Sequence, residues 1–202
     1  MYPFVNPQTK GTYQKDLYSI AQANHKVRTG FCSRFSSYLA DDFDAITKDY
    51  CQLRSQQLSS ADAFRQASTN DFLFVEFKDM SEEFMNGVGR GTPPIDPVTG
   101  KETHEETMEV SLRKKAFDSI SVACGTVCNA IPQLNVSRNA MFIVVRQDEP
   151  SAFTELANSL RQLACIDKEP LWELAELVDK KLYREVYTLT ESEFDALLPS
   201  IW

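Results

Sequence analysis

The stretch that decides the fold is Ala61-Asp62-Ala63-Phe64-Arg65, then Ser68-Thr69-Asn70, then Phe72-Leu73-Phe74-Val75-Glu76-Phe77-Lys78. The last segment is rich in aromatic and β-branched residues and is the most strand-like run in the chain. Ser, Thr and Asn between the two segments form a cluster of turn residues, so the pair reads as a β-hairpin. Within the second strand, Glu76 and Lys78 lie two positions apart and share a face. Charged side chains on an otherwise apolar strand are expensive to desolvate unless they are paired or bind something. A turn centred on Thr69 sets position 62 opposite position 76. Cross-strand partners on one face have Cβ atoms roughly 4.5–5.5 Å apart, so Asp62 and Glu76 converge, with Lys78 beside them. Two carboxylates that close repel unless a cation lies between them. One or two carboxylates completed by phosphate oxygens suit Mg²⁺ or Mn²⁺. The plainer alternative is a Glu–Lys pair at a fraying strand end.

Outward from the hairpin, the chain reads as one α/β domain. From Thr12 the pattern turns helical through Leu17, Ile20 and Ala21, and a second helical stretch is expected from Ser33 to Leu58. After the hairpin, residues 81–104 hold four of the seven glycines and three prolines, a composition that predicts a long flexible loop. Glu105 to Ile131 reads as an amphipathic helix ended by Pro132. Met141–Val145 reads as a buried central strand, and helices are expected over 151–164 and 170–178. Leu182–Leu189 reads as a last strand, and Thr190 with Glu193 as a capping box opening a closing helix. Residues 1–12 read as an extended arm. Strands alternating with helices after a hairpin predict a mixed sheet covered on both faces.

Composition bounds the function classes. The 202 residues fit one domain at roughly 100–200 residues per domain. Five cysteines, an odd number without a CxxC pair, predict reduced thiols rather than a disulfide framework. Cys124 and Cys128, at i and i+4, read as core packing. Neither His25 nor His104 has metal-ligand or catalytic spacing, and serine-hydrolase and zinc-protease motifs are absent. Gly87-Val88-Gly89-Arg90-Gly91 follows no strand and opens no helix, so it is not a phosphate loop. The N-terminus lacks a signal-peptide pattern and no run approaches the ~18 apolar residues of a membrane span, so a cytoplasmic protein is expected. A net charge of −8 argues against coating nucleic acid by bulk electrostatics but permits a local basic rim. Lys114 and Lys115, on the helix that follows the hairpin, are candidates for such a rim, one of them facing the site to meet a phosphate.

At Asp62, the strand 72–79 and Lys114, Lys115, Asp118 and Ser119, the chain resembles the PD-(D/E)xK nuclease-like superfamily, the restriction endonuclease-like fold. Ala61 stands where the superfamily's pattern has proline. The stretch Lys181–Thr188 with Glu193-Phe194 is similar to the end of small bacterial members. Asp71 is a rival for the aspartate, but five residues before Glu76 it leaves no room for a turn. The resemblance implies a metal, Mg²⁺ or Mn²⁺, held by Asp62, Glu76 and the backbone carbonyl of Phe77, with Lys78 as catalytic lysine. It also implies an acidic residue on the first core helix, for which Asp41, Asp42 and Asp44 are candidates. The function it implies is metal-dependent hydrolysis of DNA or RNA. The alternative is a catalytically inactive protein-binding domain on the same fold, for instance in a defence or toxin–antitoxin system. The expected partners are nucleic acid or protein, a homodimer is compatible, and no membrane is involved.

Overall fold

The computed structural model describes residues 13–23, 30–55, 57–68, 71–78, 108–128, 131–147 and 174–202. The expected arm at 1–12, the loop at 81–104, the helix at 151–164, both histidines and Cys165 lie outside the described residues.

Six strands form one mixed, open sheet in sequence order: β1 (Gln14–Asp16), β2 (Leu39–Asp42), β3 (Ala63–Ser68), β4 (Asp71–Lys78), β5 (Ala140–Arg146) and β6 (Glu185–Thr190). The first four pair antiparallel, while β4 with β5 and β5 with β6 pair parallel. The helices are α1 (Leu17–Ala23), α2 (Phe43–Arg54), α3 (Met108–Gly125), α4 (Gln133–Asn139), α5 (Glu176–Asp179) and α6 (Glu191–Ile201). The expected α/β class with a mixed sheet is therefore present.

Strands β4 and β5 are buried along nearly their whole length because both their faces are covered, which is why they read as near-continuous apolar runs. Alternation splits their side chains between two cores. Phe72 and Phe74 of β4 and Phe142 and Val144 of β5 pack with α2, α3 and α4. Val75, Phe77, Ile143 and Val145 pack on the opposite face with α1 and α6. Rings organise the first core: Phe43, Phe64 and Phe74 lie with centroids 5.1–5.6 Å apart, and Tyr183 touches Phe74 and Phe142. The buried Tyr183 hydroxyl donates to the Ala116 carbonyl at 2.8 Å, fastening α3 to the sheet side of this core.

The hairpin register agrees with the sequence expectation: Ala63 faces Val75 and Phe64 faces Phe74, so a turn symmetric about 69 accounts for the inner pairing. A register shift between Gln66 and Ser68 confines the irregularity to the turn end. The capping box is also present, with Glu193 N–H donating to Thr190 Oγ1 and Thr190 N–H to Glu193.

Three expected helices are revised. The stretch 33–58 is not continuous. It comprises a 3₁₀ turn (Ser33–Phe35), strand β2 and helix α2. Asp42 makes the break, since its carboxylate accepts from Ala45 N–H and starts α2 there. The apolar residues Phe35 and Leu39 fit a helical period, but Phe35 belongs to the opposite core from Phe43. The helix expected from Thr12 starts only at Leu17, after β1 at Gln14–Asp16. At the other end, α3 stops at Gly125, short of Ile131, and Cys128 N–H closes back on the Ala123 carbonyl at 2.7 Å. Pro132 then opens α4 rather than ending α3, a position proline tolerates because a first-turn N–H has no helical partner anyway.

The cysteines expected to be reduced are free at 32, 51, 124 and 128. Burial pushes the Cys128 thiol up to about 12, with Cys124 adding to the effect, so it stays protonated and apolar. No helix among the described residues is long and apolar enough to cross a membrane.

Gly125 is where α3 passes α2. A Cβ built there would lie 2.7–2.9 Å from the ring and hydroxyl of the buried Tyr50. Gly125→Ala is expected to displace that ring and cost about 1–3 kcal/mol, the range for overpacking a filled core. Urea unfolding measures it; an unchanged midpoint would refute the close packing of α2 on α3.

Candidate functional site

Strand β3 begins at Ala63, opposite Val75, so β4 runs three residues further to Lys78 without it, and that mismatch builds the site. Extending the register by one step sets Asp62 beside Glu76. The Asp62 carboxylate accepts a 2.7 Å hydrogen bond from the Phe77 N–H, standing in for the strand partner that β3 no longer supplies. The Asp62 carbonyl accepts from Phe43 N–H at the start of α2. Two residues of α3 hold the segment before it: Asp118 accepts from Ser59 N–H at 2.9 Å and Ser119 Oγ from Ala61 N–H at 2.9 Å. Asp62 is therefore fixed from three elements, and it is buried.

Glu76 is fully buried, in the face row of Phe72 and Phe74. Its carboxylate is held on both oxygens by the Lys115 ammonium of α3, at 2.7 and 2.9 Å. Lys115 also lies 3.6 Å from Asp62 Oδ1, and Lys78 lies 3.2 Å from Glu76 Oε1. Two carboxylates and two ammoniums thus form one cluster. The exposed fractions of the Lys78 and Lys115 side chains, 16% and 20%, show that the cluster opens to solvent from the lysine side.

Electrostatics follow from this packing. Burial and the Glu76 charge push the Asp62 carboxyl up from 3.8 to about 7, against the opposing pull of Lys115, the Phe77 N–H and Lys78. Burial alone would lower the Lys115 pKa, but the charges of Glu76 and Asp62 outweigh it and hold the ammonium above its ordinary range.

The site residues expected from the sequence fall out as follows. Asp62, Glu76, Lys78 and Lys115 come together. Phe77 takes part through its main chain alone, its ring lying in the opposite core against Phe31. Lys114 is exposed, since consecutive helical residues point ~100° apart and α3 turns Lys115 inward. Asp71 is at the far end of β4, roughly 16 Å away at 3.3 Å per residue, and pairs with Arg184. Of the three acidic candidates, Asp42 caps α2 and binds Lys15, and Asp41 lies on β2. Asp44, in the first turn of α2, pairs with Lys48 and is the one whose charge reaches Lys115. Asp118 and Ser119, cited from the sequence only within the family resemblance, fasten the strand entry, which the contact of α3 with segment 59–61 reveals.

Among the described residues no group of three or more His, Cys, Asp or Glu side chains gathers as a metal-ligand set. The donor set is two carboxylates, which matches cations that keep waters and take substrate phosphate rather than those needing an all-protein cage.

Two measurements test this geometry. Ser119→Ala leaves the buried Ala61 N–H without its acceptor and is expected to cost about 1–3 kcal/mol; a urea midpoint equal to the parent's would refute the anchor. Asp62→Asn keeps an acceptor for Phe77 N–H but removes the charge. Because the folded carboxyl titrates above its unfolded value, its stabilising contribution is complete below pH ~4 and is lost as pH rises through about 7. The Asn variant should therefore gain stability on the parent progressively from pH 4 to 8, without added metal. A constant difference across that range would contradict the raised pKa. No protein-family model, curated protein or solved structure matches the chain.

Proposed function

We propose that the chain is a metal-dependent phosphodiesterase acting on nucleic acid, on a restriction endonuclease-like variant of the α/β fold. The observation that carries this reading is the convergence of Asp62 and Glu76, with Lys78 and Lys115, where β4 leaves the sheet. A purely structural pair would need no second carboxylate, and burying two acids side by side is costly unless a cation is meant to join them.

In this reading Asp62, Glu76 and the Phe77 carbonyl hold Mg²⁺ or Mn²⁺. The bound ion supplies a polarised phosphoryl oxygen and a water of lowered pKa. Lys78, on the solvent side of Glu76, orients the attacking water or steadies the phosphate as a point charge. Ser119 and Asp118 keep Asp62 at its station, and Asp44 adds negative field from the start of α2. The cluster opens on the side where the two lysine stems reach solvent, so the phosphate approaches from there.

A second reading draws support from the same distances. Two carboxylates and two ammoniums balance, so the cluster is complete as an internal ion network. The chain would then be a catalytically inactive domain that binds another protein, and the net charge of −8 suits that role better than nucleic-acid binding.

Isothermal titration of Mn²⁺ into the parent and into Asp62→Ala/Glu76→Ala separates the two. Binding by the parent alone, with Mn²⁺-dependent cleavage of DNA or RNA abolished in the double variant and in Lys78→Ala, is the expected result. Absence of binding to the parent with substrate phosphodiester present would overturn the nuclease reading in favour of the protein-binding one.

A further inference from the structure

We propose that Lys115 is a built-in counter-ion that occupies the cation seat between Asp62 and Glu76 and leaves it when the divalent ion enters. The inference rests on the metal reading above and deepens it. Its basis is the position of one atom. Lys115 Nζ lies 2.7 and 2.9 Å from the two oxygens of Glu76 and 3.6 Å from Asp62 Oδ1, so it bridges both carboxylates where a joining cation would. Lys78 approaches Glu76 from the strand end instead, 3.2 Å from Oε1.

Charge and geometry make the two occupants exclusive. Mg²⁺ sits ~2.0–2.1 Å from its oxygens, and an ammonium held on the same carboxylate oxygens would face a doubly charged ion at contact range. The lysine is built to yield. It comes from α3, not from the hairpin, on a flexible four-carbon stem, and its side chain is 20% exposed, which gives the ammonium a path toward solvent along its own stem. Its charge also offsets two acids, one fully buried and one nearly so. Removing one partner from a buried ion cluster leaves an uncompensated charge, a strongly destabilising change. Lys115 therefore supports the metal-free fold, sets a threshold for metal entry, and once displaced stands at the mouth of the site as a point charge for the incoming phosphate.

The test compares the parent, Lys115→Met and Lys115→Met/Glu76→Ala by Mn²⁺ titration calorimetry and by thermal melting with and without Mn²⁺. Lys115→Met should bind Mn²⁺ at least tenfold more tightly than the parent. It should melt lower without metal and recover more of its Tm with it, while the double variant does neither. Equal or weaker binding by Lys115→Met would overturn the displacement and leave the metal site standing. No binding by parent or single variant would overturn both and leave a permanent ion network. Should Lys115→Met fail to fold, amine labelling of the intact parent decides. Mn²⁺ should raise acetylation of Lys115 several-fold, read by peptide mass spectrometry against Lys48 and Lys180 as internal controls, and unchanged or reduced labelling would overturn the proposal.

Discussion

Glu76 is a carboxylate with no exposed surface on a strand covered on both faces, and most of the neighbouring architecture answers to it. An unpaired buried carboxylate would cost several kcal/mol, so its partners must arrive with the fold. Lys115 comes from α3, which fixes the rotation of that helix about its axis. With Lys115 turned to the sheet, Leu112 and Ser119, at i−3 and i+4, turn inward beside it, and Ala116 is buried on the adjoining side. Ser119 then meets Ala61 and Asp118 meets Ser59, so the helix that neutralises Glu76 also fixes the approach to Asp62. One buried charge thereby sets helix rotation, hairpin entry and the second acid.

The hairpin could be read in the sequence because its register is a symmetry problem: a turn about Thr69 and period-two alternation are enough to set 62 against 76, and Ala63 opposite Val75 agrees. The apolar runs of β4 and β5 were equally plain, since a strand buried on both faces needs no polar side. Strand β2 was not legible. Leu39-Ala40-Asp41-Asp42 is short, half polar and continuous with helical spacing on both sides, and only two residue pairs join it to β3. Its strand character comes from neighbours far along the chain, β1 and β3, not from its own composition.

In the site, the two acids and Lys78 followed from local arithmetic, but the choice between Lys114 and Lys115 did not. Either lysine can point inward until the rotation of α3 is known, and that rotation shows only in contacts far along the chain, Lys115 to Glu76 and Tyr183 to Ala116 together. The acidic cluster 41–44 shows the same limit. Asp42 is taken up by helix capping and Lys15, a local role that any N-cap can perform, whereas Asp44 gains its relevance only because Asp62 is bonded to the start of its helix.

The position of the cluster within the sheet argues for use as well as for structure. Strand β4 is where antiparallel pairing gives way to parallel, and β3 begins where β4 ends. In open α/β sheets, ligands favour the carboxyl ends of the parallel strands, where connections leave the sheet. Glu76 and Lys78 lie at that end of β4, beside Val144 and Arg146 of β5. The sheet centre would desolvate it further, and an edge would hydrate its charges more cheaply. Acids deep enough to be dry, with lysines that still reach water, occupy the one depth where charge is both strengthened by its surroundings and accessible to a partner.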